Sequence, residues 1–230
     1  MKTFILTFLL IVCAPALAQE RIALELIIDD SGVLLDAQEA NQYKLMLLAH
    51  LKALATKREG ANARIEVIST ALGRTVWSGT PLTLRRDPAR AIDLVEAITA
   101  DPARCNALPG AFRELQSNLA QLERNGVSEI HIMVFSSLIH TPRPCADVTR
   151  ITLPQLPPTE GDIPGAFAAS TRIRSVSFFW VSPHQKFVWE GFLEGAFMTL
   201  RRNGARVTFL DVERSKDALR TAPFTLGETP

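Results

Sequence analysis

Apolar residues in this chain follow two rhythms. Short, nearly unbroken apolar runs occupy residues 21–28, 64–70, 129–135, 174–181 and 205–212. The first carries Leu24, Leu26, Ile27 and Ile28, and the fourth in chain order carries Phe178, Phe179 and Trp180. Runs of this length and density are the pattern of central strands covered on both faces. Between them the apolar positions recur every three or four residues. Ala40, Tyr43, Leu47, Leu48, Leu51 and Leu54 predict an amphipathic helix over 37–56, closed by Gly60. Ala91, Leu94, Val95 and Ile98 predict a second over 88–100, with Asp87 as its cap and Pro88 in its first turn. Leu108, Phe112, Leu115, Leu119 and Leu122 mark a third that stops at Asn125-Gly126, and Trp189, Leu193, Phe197 and Leu200 a last one over 187–203.

The joins complete the pattern. Leu72-Gly73-Arg74 is a tight turn, so the short run Thr75-Val76-Trp77 pairs antiparallel with 64–70. Residues 80–86 read as extended. Residues 138–171 hold Pro142, Pro144, Pro154, Pro157, Pro158 and Pro164 and read as one long loop, with a possible helical turn at 165–169. Residues 213–230 read as a polar tail that could hold one helical turn. The order strand, helix, hairpin, helices, strand, loop, strand, helix, strand implies a three-layer α/β domain. Its sheet would have six strands, mostly parallel with one antiparallel, and helices on both faces.

The N-terminus stands apart. Lys2, the apolar run 3–12 and Ala16-Leu17-Ala18 before Gln19 have the form of a secretory signal peptide over 1–18. The run is short for a membrane anchor. Val12 before Cys13 argues against lipidation, and no later stretch is apolar enough to span a bilayer. The domain would then cover 19–212. Overall the composition is globular, with 47% hydrophobic and 21% charged residues and a formal net charge of +1. Losing the leader removes one lysine and leaves equal numbers of acids and bases. No basic stripe is present, which argues against nucleic acid as a partner. Two cysteines stay in the mature chain, Cys105 and Cys145. In an oxidising periplasmic or extracellular setting they predict one disulfide, worth about 4 kcal/mol in the chain-entropy model.

Candidate chemistry gathers at the ends of strands. In a sheet of this type ligands collect at the carboxyl ends, where the strand order reverses. If the runs 21–28 and 129–135 flank that point, Asp29, Asp30, Ser31 and Gly32 face Ser136 and Ser137. The loop with Cys105 and Asn106 shares the same rim. Carboxylate, hydroxyl and amide oxygens suit a hard divalent cation such as Mg²⁺. The plainer alternative is a turn whose side chains cap backbone N–H groups.

The element order and Asp29-x-Ser31 at the first strand end resemble a von Willebrand factor A-like domain. That family binds a divalent metal through Asp-x-Ser-x-Ser, a later Thr and an Asp. Asp29 and Ser31 match the first two positions, Val33 replaces the second Ser, Asn106 is placed like the Thr, and Ser136 or Ser137 stands for the Asp. The resemblance implies a degenerate site of Asp29, Ser31, Asn106 and Ser137 with a weakly held Mg²⁺. It also implies a protein-binding rim of Asp30, Gly32, Val33, Ser136 and His140, and a role as an exported binding module in an envelope, secretion or conjugation assembly. The competing class is a metal-assisted hydrolase using Asp29 with His140 and His184, although no zinc spacing, nucleophile elbow or phosphate-binding glycine loop occurs. His50 and His131 read as packing or surface residues.

Overall fold

The computed structural model describes residues 22–32, 34, 37–57, 59–141, 145 and 154–221. The leader 1–18, Val33, much of the proline-rich loop and the last nine residues lie outside them. The described elements run β1 (Ile22–Ile28), α1 (Ala37–Leu54), β2 (Arg64–Ser69), β3 (Arg74–Gly79), α2 (Pro81–Arg86), α3 (Pro88–Ile98), α4 (Leu108–Arg124), β4 (Glu129–Phe135), α5 (Ile163–Ala166), β5 (Ile173–Phe179), α6 (Pro183–Arg202), β6 (Arg206–Phe209) and α7 (Val212–Thr221).

The six strands form one sheet in the order β3-β2-β1-β4-β5-β6. Only the β2–β3 pair is antiparallel, and the other pairings are parallel. The expected architecture is therefore present. From β1 the chain builds outward to β2 on one side and later to β4 on the other. The strand order reverses between β1 and β4, and their carboxyl ends stand side by side there, Ile28 opposite Phe135.

All seven residues of β1 are buried, because layers of helix cover both faces. Side chains alternate across a strand. Ala23 and Ile27 point into a core shared with Leu108, Phe112, Leu115, Leu119 and Leu122 of α4, Ile163 and Ala166 of α5, and Trp189, Leu193, Phe197 and Leu200 of α6. Leu24, Leu26 and Ile28 point to the opposite core. That core is completed by Tyr43, Leu47 and Leu51 of α1, Leu84 of α2, Leu94 and Ile98 of α3, and Leu219 of α7. At roughly 2–5 kcal/mol lost per buried Leu truncated to Ala, these two cores dominate the stability.

Three segments differ from the sequence pattern. Residues 81–86, read as extended, are helical: Thr80 and Thr83 form a reciprocal capping box and Pro81 stands in the first turn. Such a cap is worth about 1 kcal/mol. The final helix of the α/β series starts at Pro183, not at 187, again with proline where its missing N–H costs nothing. The expected polar tail opens with the ten-residue helix α7. It docks on α1 through fully buried Leu219, an Arg220 Nη2 hydrogen bond to Tyr43 Oη at 2.8 Å, a Lys216–Glu39 ion pair at 2.6 Å and a 2.6 Å contact of His50 Nε2 with Leu219 O. Among the described residues no helix is long and apolar enough to cross a membrane.

Candidate functional site

The backbone leaves β1 still paired to its neighbour. Asp29 N donates to Phe135 O at 2.8 Å, and this places the Asp29 side chain beside Ser136. Ser136 Oγ donates to Asp29 Oδ2 at 3.2 Å. The other carboxylate oxygen, Oδ1, accepts from Ser31 N at 3.1 Å and from the Ser31 hydroxyl. Ser136 Oγ also accepts from Leu138 N and from Asn106 Nδ2, each at 3.1 Å. Asn106 Nδ2 bonds Ile139 O at 2.8 Å as well. Asn106 N donates to Thr141 Oγ1, and Asn106 O accepts from Thr141 N. Asn106 therefore staples the loop after β4 onto the loop before α4. Its own Oδ1 has no partner among the described residues.

The same two loops are joined covalently. Cys105 and Cys145 form the expected disulfide, with Cα atoms 5.1 Å apart. A third clasp lies across Gly32. Asp101 N donates to Asp30 O at 2.9 Å and Gly32 N to Arg104 O at 3.3 Å. A Cβ on Gly32 would stand 2.5 Å from Pro102 Cα, so only glycine permits this approach.

Asp30 is spent on structure. It accepts from Ser69 Oγ at 2.7–2.8 Å, from Ala71 N at 3.1 Å and from Arg104 Nη1 at 2.7 Å, an ion pair whose carboxylate side is almost wholly buried. Lys44 of α1 reaches the site from the helix side. Its Nζ donates to the Asp29 carbonyl oxygen at 2.7 Å and lies 5.5 Å from the Phe135 ring centroid. Burial pushes the Asp29 carboxyl up to about 6, against the hydrogen bonds from Ser31 and the Lys44 charge. Burial pushes Lys44 down to about 8, against the attraction of Asp29 and Asp30.

Asp29, Ser31 and Asn106, expected together from the sequence, are together. Ser136 and Ser137 exchange roles: Ser136 meets Asp29, while Ser137 Oγ turns to Ile139 N at 3.3 Å. Alternation along the chain continuing β4 is the reason, since only one of two successive residues can share the face of Asp29. The rim also needs correction. Asp30 and Ser136, expected to face a partner, are completely buried, as are Asp29, Ser31 and Asn106. The loops that would border an open crevice are folded against the strand ends and locked there. Gly32 is exposed and His140 half-buried, and Val33 lies outside the described residues.

The histidines do not converge. His140 Nδ1 lies 3.1 Å from the carbonyl oxygen of Asn106, and burial lowers its pKa. His184 is exposed in the first turn of α6. His131 is buried in β4 with Nδ1 2.8 Å from Ser175 Oγ. No group of three or more His, Cys, Asp or Glu among the described residues could hold a metal ion.

The residues not foreseen are Lys44, Arg104, Ser69 and Thr141. Lys44 did leave a signal: it falls on the inward stripe of its helix, four residues after Ala40 and three before Leu47. A lysine in that position must find a buried partner.

No family model and no curated protein matches the chain. Solved structures do match its fold. A variant of the PilB minor pilin of Streptococcus sanguinis is 13% identical at a TM-score of 0.50, over 90% of this chain and 61% of that one. The pilus adhesin SpaC of Lactobacillus rhamnosus GG, in its open conformation, is 10% identical at a TM-score of 0.51, over 87% of this chain and 29% of that one. The likeness is one of fold, and the chain spans only about three fifths of the pilin and under a third of the adhesin.

Proposed function

We propose that this chain is an exported protein-binding module of the von Willebrand factor A-like type, working in an assembly of the cell envelope or surface such as a secretion or conjugation apparatus. The observation that carries the reading is the state of the strand-end rim. Its polar groups are tied to one another and its two loops are bridged by Cys105–Cys145. A fixed rim of this kind suits presentation of a shape to a partner, and a disulfide suits an oxidising compartment. The fold neighbours, a minor pilin and a pilus adhesin, support a setting of the same general kind. Among the described residues, the parts of the rim open to a partner are Gly32 and the loop clasped to it, the half-buried His140 and the exposed Cys145.

The test is site-specific photo-crosslinking in cells that export the chain. A crosslinking residue at His140, or at Ala103, exposed in the loop clasped to Gly32, is compared with one at Arg124, at the opposite end of α4. Discrete adducts from the rim positions, absent from Arg124, with Cys105 and Cys145 protected from alkylation, are the expected result. Equal labelling from both ends, or cysteines that react freely in the cell, would refute it.

A further inference from the structure

A buried lysine stands beside the strand-end cluster, on the backbone carbonyl of Asp29. Lys44 is 1% exposed, although lysine is almost never fully buried without a partner. Taking an ammonium out of water costs several kcal/mol unless nearby groups offset it. Here the offset is specific: a hydrogen bond to the carbonyl of Asp29, the ring face of Phe135, and attraction to the Asp29 and Asp30 carboxylates.

The cluster balances in formal charge. Asp29 and Asp30 bring two negative charges, and Lys44 and Arg104 bring two positive ones. A hard divalent cation takes six or more oxygen ligands and is held by net negative charge around it. Both oxygens of each carboxylate already accept hydrogen bonds. The one oxygen of the cluster with no partner among the described residues, Asn106 Oδ1, is neutral. A further two positive charges beside a buried ammonium would meet repulsion that no remaining carboxylate cancels.

We infer that the Lys44 and Arg104 charges neutralise the strand-end carboxylates from beside the Asp29–Ser31–Ser136–Asn106 set, so that this cluster is a closed, metal-independent site, and that removing the Lys44 ammonium converts it into a cation site. Without that charge the cluster carries a net negative charge around the Asp29 carboxylate, the Ser31 and Ser136 hydroxyls and the open Asn106 amide oxygen. These are the ligand types a hard cation selects. The inference rests on the strand-end geometry alone and holds whether or not the rim binds a protein.

Thermal melting of the mature chain tests it, in EDTA and then in excess Mg²⁺ or Mn²⁺, for the wild type, Lys44→Met and Lys44→Met with Asp29→Asn. The wild type is expected to melt at the same temperature in every condition. Lys44→Met is expected to melt lower in EDTA and to recover by about 5 °C or more in saturating Mn²⁺, with the recovery lost once Asp29→Asn is added. A metal-dependent rise in the wild type that Asp29→Asn removes would overturn the inference, as would a folded Lys44→Met protein that ignores both ions. If Lys44→Met does not fold, a wild-type Mn²⁺ titration followed by the free-ion EPR signal still decides. Mn²⁺ taken up by the wild type and released by Asp29→Asn sinks the idea; no uptake supports it.

Discussion

Two polar clusters are buried in this sheet, and they solve the same problem in different ways. At the strand ends, Asp29 and Asp30 are met by Lys44 and Arg104. In mid-sheet, Glu25 of β1 lies in register with Glu66 of β2. Glu25 Oε2 accepts from Asn118 Nδ2 at 3.1 Å, Asn118 Nδ2 also reaches Thr75 Oγ1 at 3.1 Å, and Arg64 pairs with Glu66. Glu25 Oε1 has no partner among the described residues. Burial, then the neighbouring Glu66 charge, pushes the Glu25 carboxyl up to about 8. One cluster is neutralised by counter-charges and the other by holding a proton. Position explains the difference. Strand ends are where loops and helix termini deliver basic side chains and backbone donors. The middle of β1 is walled by strands and by α4, which offers the Asn118 amide and, in Glu114, one more negative charge.

The contrast can be broken most strongly through the clamp. Replacing Cys105 and Cys145 by Ala should cost about 4 kcal/mol in the chain-entropy model for a cross-link spanning 40 residues. The same change should release the rim. Hydrogen exchange at the Asn106 and Thr141 amides should quicken relative to the global opening rate, while the Ile27 amide tracks it; equal acceleration at both places would mean that the disulfide does not hold the rim in particular.

Next in size is Asp30→Ala. It strands the Ser69 hydroxyl, the Ala71 N–H and the Arg104 guanidinium. Loss of one partner of a buried pair costs 3–5 kcal/mol, and the lower end applies because Arg104 is 36% exposed and regains some water. Chemical denaturation near neutral pH should read about 3 kcal/mol, and a loss under 1 kcal/mol would show that the pair is only decorative.

Glu25→Gln should act in the opposite direction. A carboxyl raised from about 4.5 to about 8 in the folded protein binds its proton more tightly folded than unfolded. Its stability contribution is full below the unfolded pKa and is lost as pH rises through the folded one. The glutamine variant should therefore match the wild type near pH 4. It should become more stable by on the order of 4–5 kcal/mol toward pH 9. Denaturant midpoints of the two proteins that stay parallel across this range would remove the case for a protonated Glu25.

Much of the architecture was legible in the chain because burial leaves a period. The span of β4 follows directly from its apolar run at 129–135, and Asp87-Pro88 announced the start of α3. The two helices that were missed show the limit. In α2, Leu82 and Leu84 alternate as in a strand, and the Thr80–Thr83 capping box decided for helix. In α7 the pattern is polar apart from a few positions, and the helix is anchored through Leu219 and Arg220 on α1, a contact with a partner more than 160 residues away in sequence. The site divides in the same way. Asp29, Ser31, Asn106 and the cysteine pair could be named from strand-end position and compartment. Their burial, the exchange of Ser137 for Ser136, and the pairing of Asp30 with Arg104 could not.

By itself the sequence determined the three-layer sheet and the residue types at its strand ends, because periodicity and strand-end composition are local properties, while the pairing of β1 with β4 that brings those ends together came from the fold. Only the tertiary structure decided that the gathered groups are closed off and charge-balanced. Balance depends on which long basic side chains arrive from α1 and from the loop before α4. Lys44 and Arg104 lie 15 and 74 residues along the chain from the aspartates they meet, the one at its backbone carbonyl and the other at its carboxylate, and packing in three dimensions sets that arrival.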